Sequence, residues 1–163
     1  ILYYGNKFKD HESDSYNFLT MIIMEINEYS EKLFNAVLKL LPQLDPEIKL
    51  PSKEFFKGIL ESENAHFFVA ELDNNEIIGI LTLSTYNIAT GSKFWIEDVV
   101  IDESQRGIGY GREMMLHAMK FAESMGARTI DLTSRPCRIA ANQLYIDLGF
   151  SKRDTNVYRY ESG

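Results

Sequence analysis

Apolar residues along the chain follow two rhythms, one of about two residues and one of about 3.6, and the switches between them mark out elements. A short apolar run over 21–26 reads as a strand. Leu33, Val37, Leu40 and Leu41 then recur at helical spacing until Pro42, where the helix is expected to break off. Asp45-Pro46 and Leu50-Pro51 punctuate a loop, after which Ser52 is placed to cap a second helix carrying Phe55, Phe56, Ile59 and Leu60. Residues 66–72 and 76–86 are rich in strand formers and flank Asp73-Asn74-Asn75, a turn composition that tolerates positive φ, so they predict a hairpin. A further strand covers 93–102, and its apolar end suggests burial on both faces.

Met114, Met115, Ala118, Met119, Ala122 and Met125 then form the stripe of an amphipathic helix closed by Gly126, a core-packing pattern. Residues 128–133 form a short strand, and Pro136 suits the start of a helix. Ala141, Leu144, Tyr145 and Leu148 share that helix's inner face before Gly149, and Phe150 starts closing strands. This order predicts an α/β or α+β sandwich with a largely antiparallel sheet. Residues 1–20 lack periodicity and are expected to be an extension outside the core, leaving 21–163 as one domain.

Composition narrows the function classes. The 163 residues, 45% hydrophobic and 25% charged, suit one globular domain. The lone Cys137 has no internal disulfide partner, and His11, His66 and His117 form no ligand pair, so a cytoplasmic setting without a structural metal is expected. A net charge of −7 and a pI of about 5.0 disfavour nucleic-acid phosphates as partners. No run approaches the roughly 18 apolar residues that span a bilayer, so no membrane partner is expected. The acidic field favours cationic small molecules such as amines and serves solubility equally well.

The stretch that carries chemistry runs from Val99 to Arg112, where a buried strand passes through a turn and three alternating glycines into a helix. Bare backbone at Gly107, Gly109 and Gly111 permits close approach, and the N–H groups of a helix N-terminus favour an anion such as pyrophosphate. A Walker loop needs Gly-Lys-Ser/Thr, absent here, and Arg112 stands where the dinucleotide fingerprint needs its third glycine. Arg106-x-x-Gly109-x-Gly111 instead resembles the R/Q-x-x-G-x-G/A signature of the GNAT acetyltransferases. The run from Asn142 to Phe150, with Leu144-Tyr145 ahead of Gly149-Phe150, is similar to that family's second motif, L-Y-x-x-x-G-F. The resemblance covers about residues 66–160.

It implies an acyl-CoA N-acyltransferase fold: a central mixed, mostly antiparallel sheet flanked by helices, with a V-shaped splay between the fourth and fifth strands, 93–102 and 128–133. Acetyl-CoA would be the donor, its pantetheine along the backbone of Val99, Val100 and Ile101. Its pyrophosphate would lie on Gly107, Ile108, Gly109, Tyr110 and Gly111, with charge from Arg106 or Arg112, and Asn142 joins the cofactor set. The Val99 N–H would polarise the thioester carbonyl, and Tyr145 would protonate the departing thiolate. No metal is implied.

An alkyl amine, with a pKa near 10, must lose a proton before it attacks. Glu97 and Asp98 are the candidate bases, with Glu97 slightly preferred. Consecutive strand residues point to opposite faces, so only one of them faces the acceptor unless a bulge intervenes. Thr133 stands where some family members carry an acid, and Arg138 where they carry Asn seven residues before the tyrosine, so acid–base details do not transfer whole. Cys137 has no activating His at a motif spacing, which disfavours an acyl-enzyme. The acceptor is expected to be a small-molecule amine or a peptide, the latter making the chain a protein N-terminal or lysine acetyltransferase. A noncatalytic acyl-CoA-binding or regulatory module is the alternative from another class. A homodimer suits such a domain, without a readable signature in the sequence.

Overall fold

The structure, a computed structural model, describes residues 2–7 and 18–163. Residues 1 and 8–17, His11 among them, lie outside the described residues, and with them most of the expected extension over 1–20. The chain divides into two compact units, 1–133 and 134–163.

The first unit is built on one mixed sheet whose strands lie in chain order: β1 (Leu2–Lys7), β2 (Phe18–Glu25), β3 (Ala65–Leu72), β4 (Ile77–Ile88), β5 (Gly91–Ile101) and β6 (Asp131–Leu132). Neighbours run antiparallel except β5 and β6, which are parallel. Tight turns make the meander possible: Asn75 takes φ 64 between β3 and β4, and the Leu72 N–H donates to the Glu76 carbonyl at 2.9 Å. A parallel pair instead needs a crossover, which α3 (Tyr110–Ser124) supplies.

Helices α1 (Glu31–Leu44) and α2 (Lys53–Leu60) fall between β2 and β3. Each begins on a serine: Ser30 Oγ accepts from the Leu33 N–H and Ser52 Oγ from the Phe55 N–H, both at 3.1 Å. Contrary to expectation, Pro42 does not end α1 but lies inside it. Its ring removes only one donor, from the last turn, while burial of Leu40 and Leu41 keeps that turn on the sheet.

Two layers of side chains sandwich the sheet. Phe34 and Val37 of α1 and Phe56 and Leu60 of α2 share a buried cluster with Phe67, Val69, Ile80 and Val100. Phe68 instead meets His117 and Phe121 of α3, at centroid distances of 5.2 and 5.1 Å. Successive strand residues point opposite ways, so α1 and α2 cover one face and α3 the other. Of the expected stripe, Met114, Met115, Ala118 and Ala122 are fully buried, whereas Met119 is half-buried and Met125, just past the end of the helix, is exposed.

The second unit contains α4 (Ile139–Asp147). The Phe150 N–H donates to the Tyr145 carbonyl at 2.9 Å and the two rings meet edge to face at 6.1 Å. The closing strands expected from Phe150 onward do not form: residues 150–163 carry no strand, and Val157, Tyr158 and Tyr160 are exposed. Alternation supplies strand propensity, but a strand also needs an edge to pair with, and no ladder partner meets this segment among the described residues.

Candidate active site

The β4–β5 ladder contains a one-residue irregularity. Thr82 pairs with Glu97, but Ile80 pairs with Val100, so Leu81 alone opposes both Asp98 and Val99. Asp98 takes φ 51 to accommodate the extra residue. The bulge changes which side chains share a face. Thr82 pairs with Phe67, placing Glu97 on the α1/α2 face; Val100, three residues on, belongs to the cluster on that same face. Without the bulge, positions three apart would point opposite ways.

The other edge of β5 opens at the same place. β6 pairs with β5 only at Trp95/Asp131 and Ile96/Leu132. From Glu97 to Ile101, β5 has no strand neighbour on that side among the described residues. This is the predicted splay, between β5 and β6 once β1 is counted. Asp98 and Val99 have no register partner in β4 or β6 among the described residues.

Both carboxylates remain open to solvent. The crowding of surrounding protein atoms nevertheless pushes the Glu97 carboxyl up, with the adjacent Asp98 charge adding to this and a Trp95 hydrogen bond opposing it. Partial burial pushes the Asp98 carboxyl up as well. Two adjacent carboxyls moved toward neutrality are suited to accepting a proton.

Beyond Ile101 the chain makes a short 3-10 turn, Glu103–Gln105, and reaches α3 through Gly107 at φ 85 and Gly109 at φ 100. Such φ values crowd any Cβ, which accounts for the glycines. Gly109 caps α3 and, as a glycine, offers no side chain of its own to the opening N–H groups of the helix, Tyr110 and Gly111 among them. A Cβ built on Gly107 meets nothing within 4 Å, so the space beside that residue is open among the described residues. These features fit an anionic group.

Individual candidates fall in different places. Tyr110 is buried, Ile108 and Gly111 are half-buried, and Arg112 is exposed. The Arg106 Nε donates to the Ile101 carbonyl at 2.9 Å, so this guanidinium already holds the loop. In the second unit, Asn142 donates its amide to the Arg135 carbonyl at 2.9 Å. Burial pushes the half-buried Tyr145 phenol up, with the Arg138 charge opposing, which keeps it protonated at neutral pH. Cys137 is exposed.

Gly79 escaped the reading of the sequence. A Cβ there would lie 2.5 Å from Ile101 Cδ1, 3.1 Å from the Val100 carbonyl oxygen and 3.2 Å from Met114 Sδ. Its signal was an isolated glycine in an apolar strand, which marks close approach. Among the described residues no group of three His, Cys, Asp or Glu is arranged to hold a metal, and no helix is long and apolar enough to cross a membrane.

Comparison with known proteins bears on this geometry. The sequence model of the acetyltransferase (GNAT) family matches residues 28–150. The uncharacterized N-acetyltransferase YycN of Bacillus subtilis (strain 168) is 27% identical over 115 residues, covering 68% of this chain and 74% of that protein. Among solved structures, an aminoglycoside acetyltransferase, meta-AAC0020, from an uncultured soil metagenomic sample superposes with a TM-score of 0.76 at 19% identity, over 87% of this chain and 95% of the other. A putative acetyltransferase from Agrobacterium tumefaciens str. C58 gives 0.75 at 22% identity, over 86% and 99%. Glucosamine-6-phosphate N-acetyltransferase from Arabidopsis thaliana gives 0.70 at 21% identity, over 87% and 99%. At these identities the structural likeness is one of fold.

Proposed function

Because the chain belongs to the GNAT acetyltransferase family, we propose that it transfers the acetyl group of acetyl-CoA to a primary amine by direct attack in a ternary complex. The observation that carries this reading is the succession of features along β5: an edge without a strand neighbour after Ile96 among the described residues, a bulge at Asp98 and Val99, then a helix N-terminus capped by a glycine. An extended pantetheine suits the first part, and a pyrophosphate suits the last.

The backbone of Val99, Val100 and Ile101 pairs with the pantetheine, and the Val99 N–H donates to the thioester oxygen as charge builds there. Gly107, Ile108, Gly109, Tyr110 and Gly111 receive the pyrophosphate, with Arg112 adding positive charge at the exposed rim. The amine nitrogen attacks the acetyl carbon, the C–S bond breaks, and the sulfur takes a proton from the Tyr145 hydroxyl. Glu97, with Asp98 beside it, takes the proton released by the ammonium group, through water. Two acidic side chains beside the reacting carbon favour a cationic amine, small or peptide-borne.

Incubating the protein with acetyl-CoA and a panel of amino acids, polyamines, amino sugars, aminoglycosides and short peptides tests this. Released thiol and acetylated product, matched by mass, are the expected result. Binding of acetyl-CoA with no transfer to any amine would favour a noncatalytic acyl-CoA-binding module. Gly109→Glu should abolish CoA binding, because it adds strain and negative charge where the pyrophosphate lies. Tyr145→Phe should leave binding within about twofold and slow transfer by roughly 10²-fold under single turnover.

A further inference from the structure

The glycines of the loop permit its shape without selecting it, since glycine is the residue with most conformational freedom to lose. Beside the Arg106 bond to the Ile101 carbonyl, contacts that select the shape come from α1. Lys39 Nζ lies 2.7 Å from Asp102 Oδ2, and the Asp102 side chain is only 4% exposed. The other Asp102 oxygen accepts from the Ser104 N–H at 3.0 Å and the Ser104 hydroxyl at 2.7 Å. One turn further along α1, Gln43 Oε1 accepts from the Glu103 N–H at 2.8 Å and from Arg106 Nη2 at 3.4 Å. The Gln43 amide nitrogen donates to the Lys39 carbonyl at 3.4 Å, which fixes the oxygen toward the loop. Lys39 and Gln43 are four apart and so share one face of the helix.

We propose that Lys39 and Gln43 are positioning residues for coenzyme A: from α1 they hold the loop open in the shape that receives pyrophosphate, without touching the cofactor. This rests on the reading of that loop as the pyrophosphate site. The two residues brace the segment just before Gly107 through Asp102, Glu103 and Arg106. Loop order supplied in advance is order that binding need not supply. Losing one brace therefore weakens any ligand that uses the loop and spares one that does not.

Coenzyme A and pantetheine differ in this respect, since pantetheine lacks the pyrophosphate. Their dissociation constants are measured in parallel on the full chain for wild type, Gln43→Ala, Lys39→Met and Lys39→Arg, with melting followed by circular dichroism. Gln43→Ala and Lys39→Met are each expected to weaken coenzyme A about tenfold, the value of one net hydrogen bond, and to leave pantetheine within about twofold. Lys39→Arg should restore most of the coenzyme A affinity. Equal losses for both ligands would indicate general damage and overturn the positioning role, as would unchanged coenzyme A binding in both Gln43→Ala and Lys39→Met. A wild-type chain that binds pantetheine but gains nothing from the pyrophosphate would instead remove the loop assignment, and this inference with it.

Discussion

Asp98, at φ 51, occupies the left-handed region that aspartate tolerates better than most residues and glycine tolerates freely. Asp98→Gly therefore deletes a carboxylate while keeping the bulge, and its stability should stay within about 1 kcal/mol of wild type in urea unfolding. A β-branched replacement such as Asp98→Val should cost about 1–2 kcal/mol. Glu97→Gln separates the two carboxylates in catalysis: a loss of roughly 10²-fold in kcat, larger than that of Asp98→Gly, would identify Glu97 as the base. Both carboxyls are pushed up, and a base works ionised, so the rate should rise with pH through the raised value and level off above it. Glu97→Gln should abolish that limb. Stability runs the other way: the fold binds these protons more tightly than the unfolded chain, so their contribution is present at low pH and lost as pH rises through the folded values. The types and order of these residues were legible in the sequence. Their directions were not, because one unpaired residue reverses the alternation that follows it.

At the scale of elements, Asp102 ties α1 to the end of β5. Its ion pair with Lys39, helped by Ser104, lowers its carboxyl from 3.8 to about 2. A depressed carboxylate contributes stability that is present above the unfolded value and lost as pH falls toward the folded one. Acid unfolding between about pH 4 and pH 2 should therefore be shallower in Asp102→Asn than in wild type. At pH 7 that variant should lose on the order of 1–2 kcal/mol, the lower end if solvent around the exposed lysine screens the pair. The helices themselves were readable from spacing and, for α2, from its Ser52 cap, including the stripe that buries Met114 and Met115. Pro42 misled because a proline rule for helix interiors applies weakly in a last turn held down by Leu40 and Leu41.

Across the first unit, Gly79 lets three parts meet: β4, the end of β5, and α3 through Met114. Gly79→Ala would place a methyl 2.5 Å from a side chain that can move and 3.1 Å from a backbone oxygen that moves only with its strand. We expect a loss of about 1–3 kcal/mol in thermal or urea unfolding. Coenzyme A affinity should fall too, because Ile101 and α3 bracket the loop. A variant with unchanged stability and affinity would show that the layers can part at no cost.

Local patterns alone determined the order of elements from β2 to α4, the Ser52 cap, the buried face of α3, and a glycine loop opening a helix, because these depend on residues within a turn or two of each other. The family likeness rested on the same local spacing, from Arg106 to Gly111 and from Leu144 to Phe150. Only the tertiary structure decided the bulge at Asp98, the end of β5–β6 pairing at Ile96, the close approach at Gly79, and the braces from Lys39 and Gln43. Each of these sets a residue against one distant along the chain, and the free energy that settles it lies in pairing and packing across that distance, which periodicity does not record.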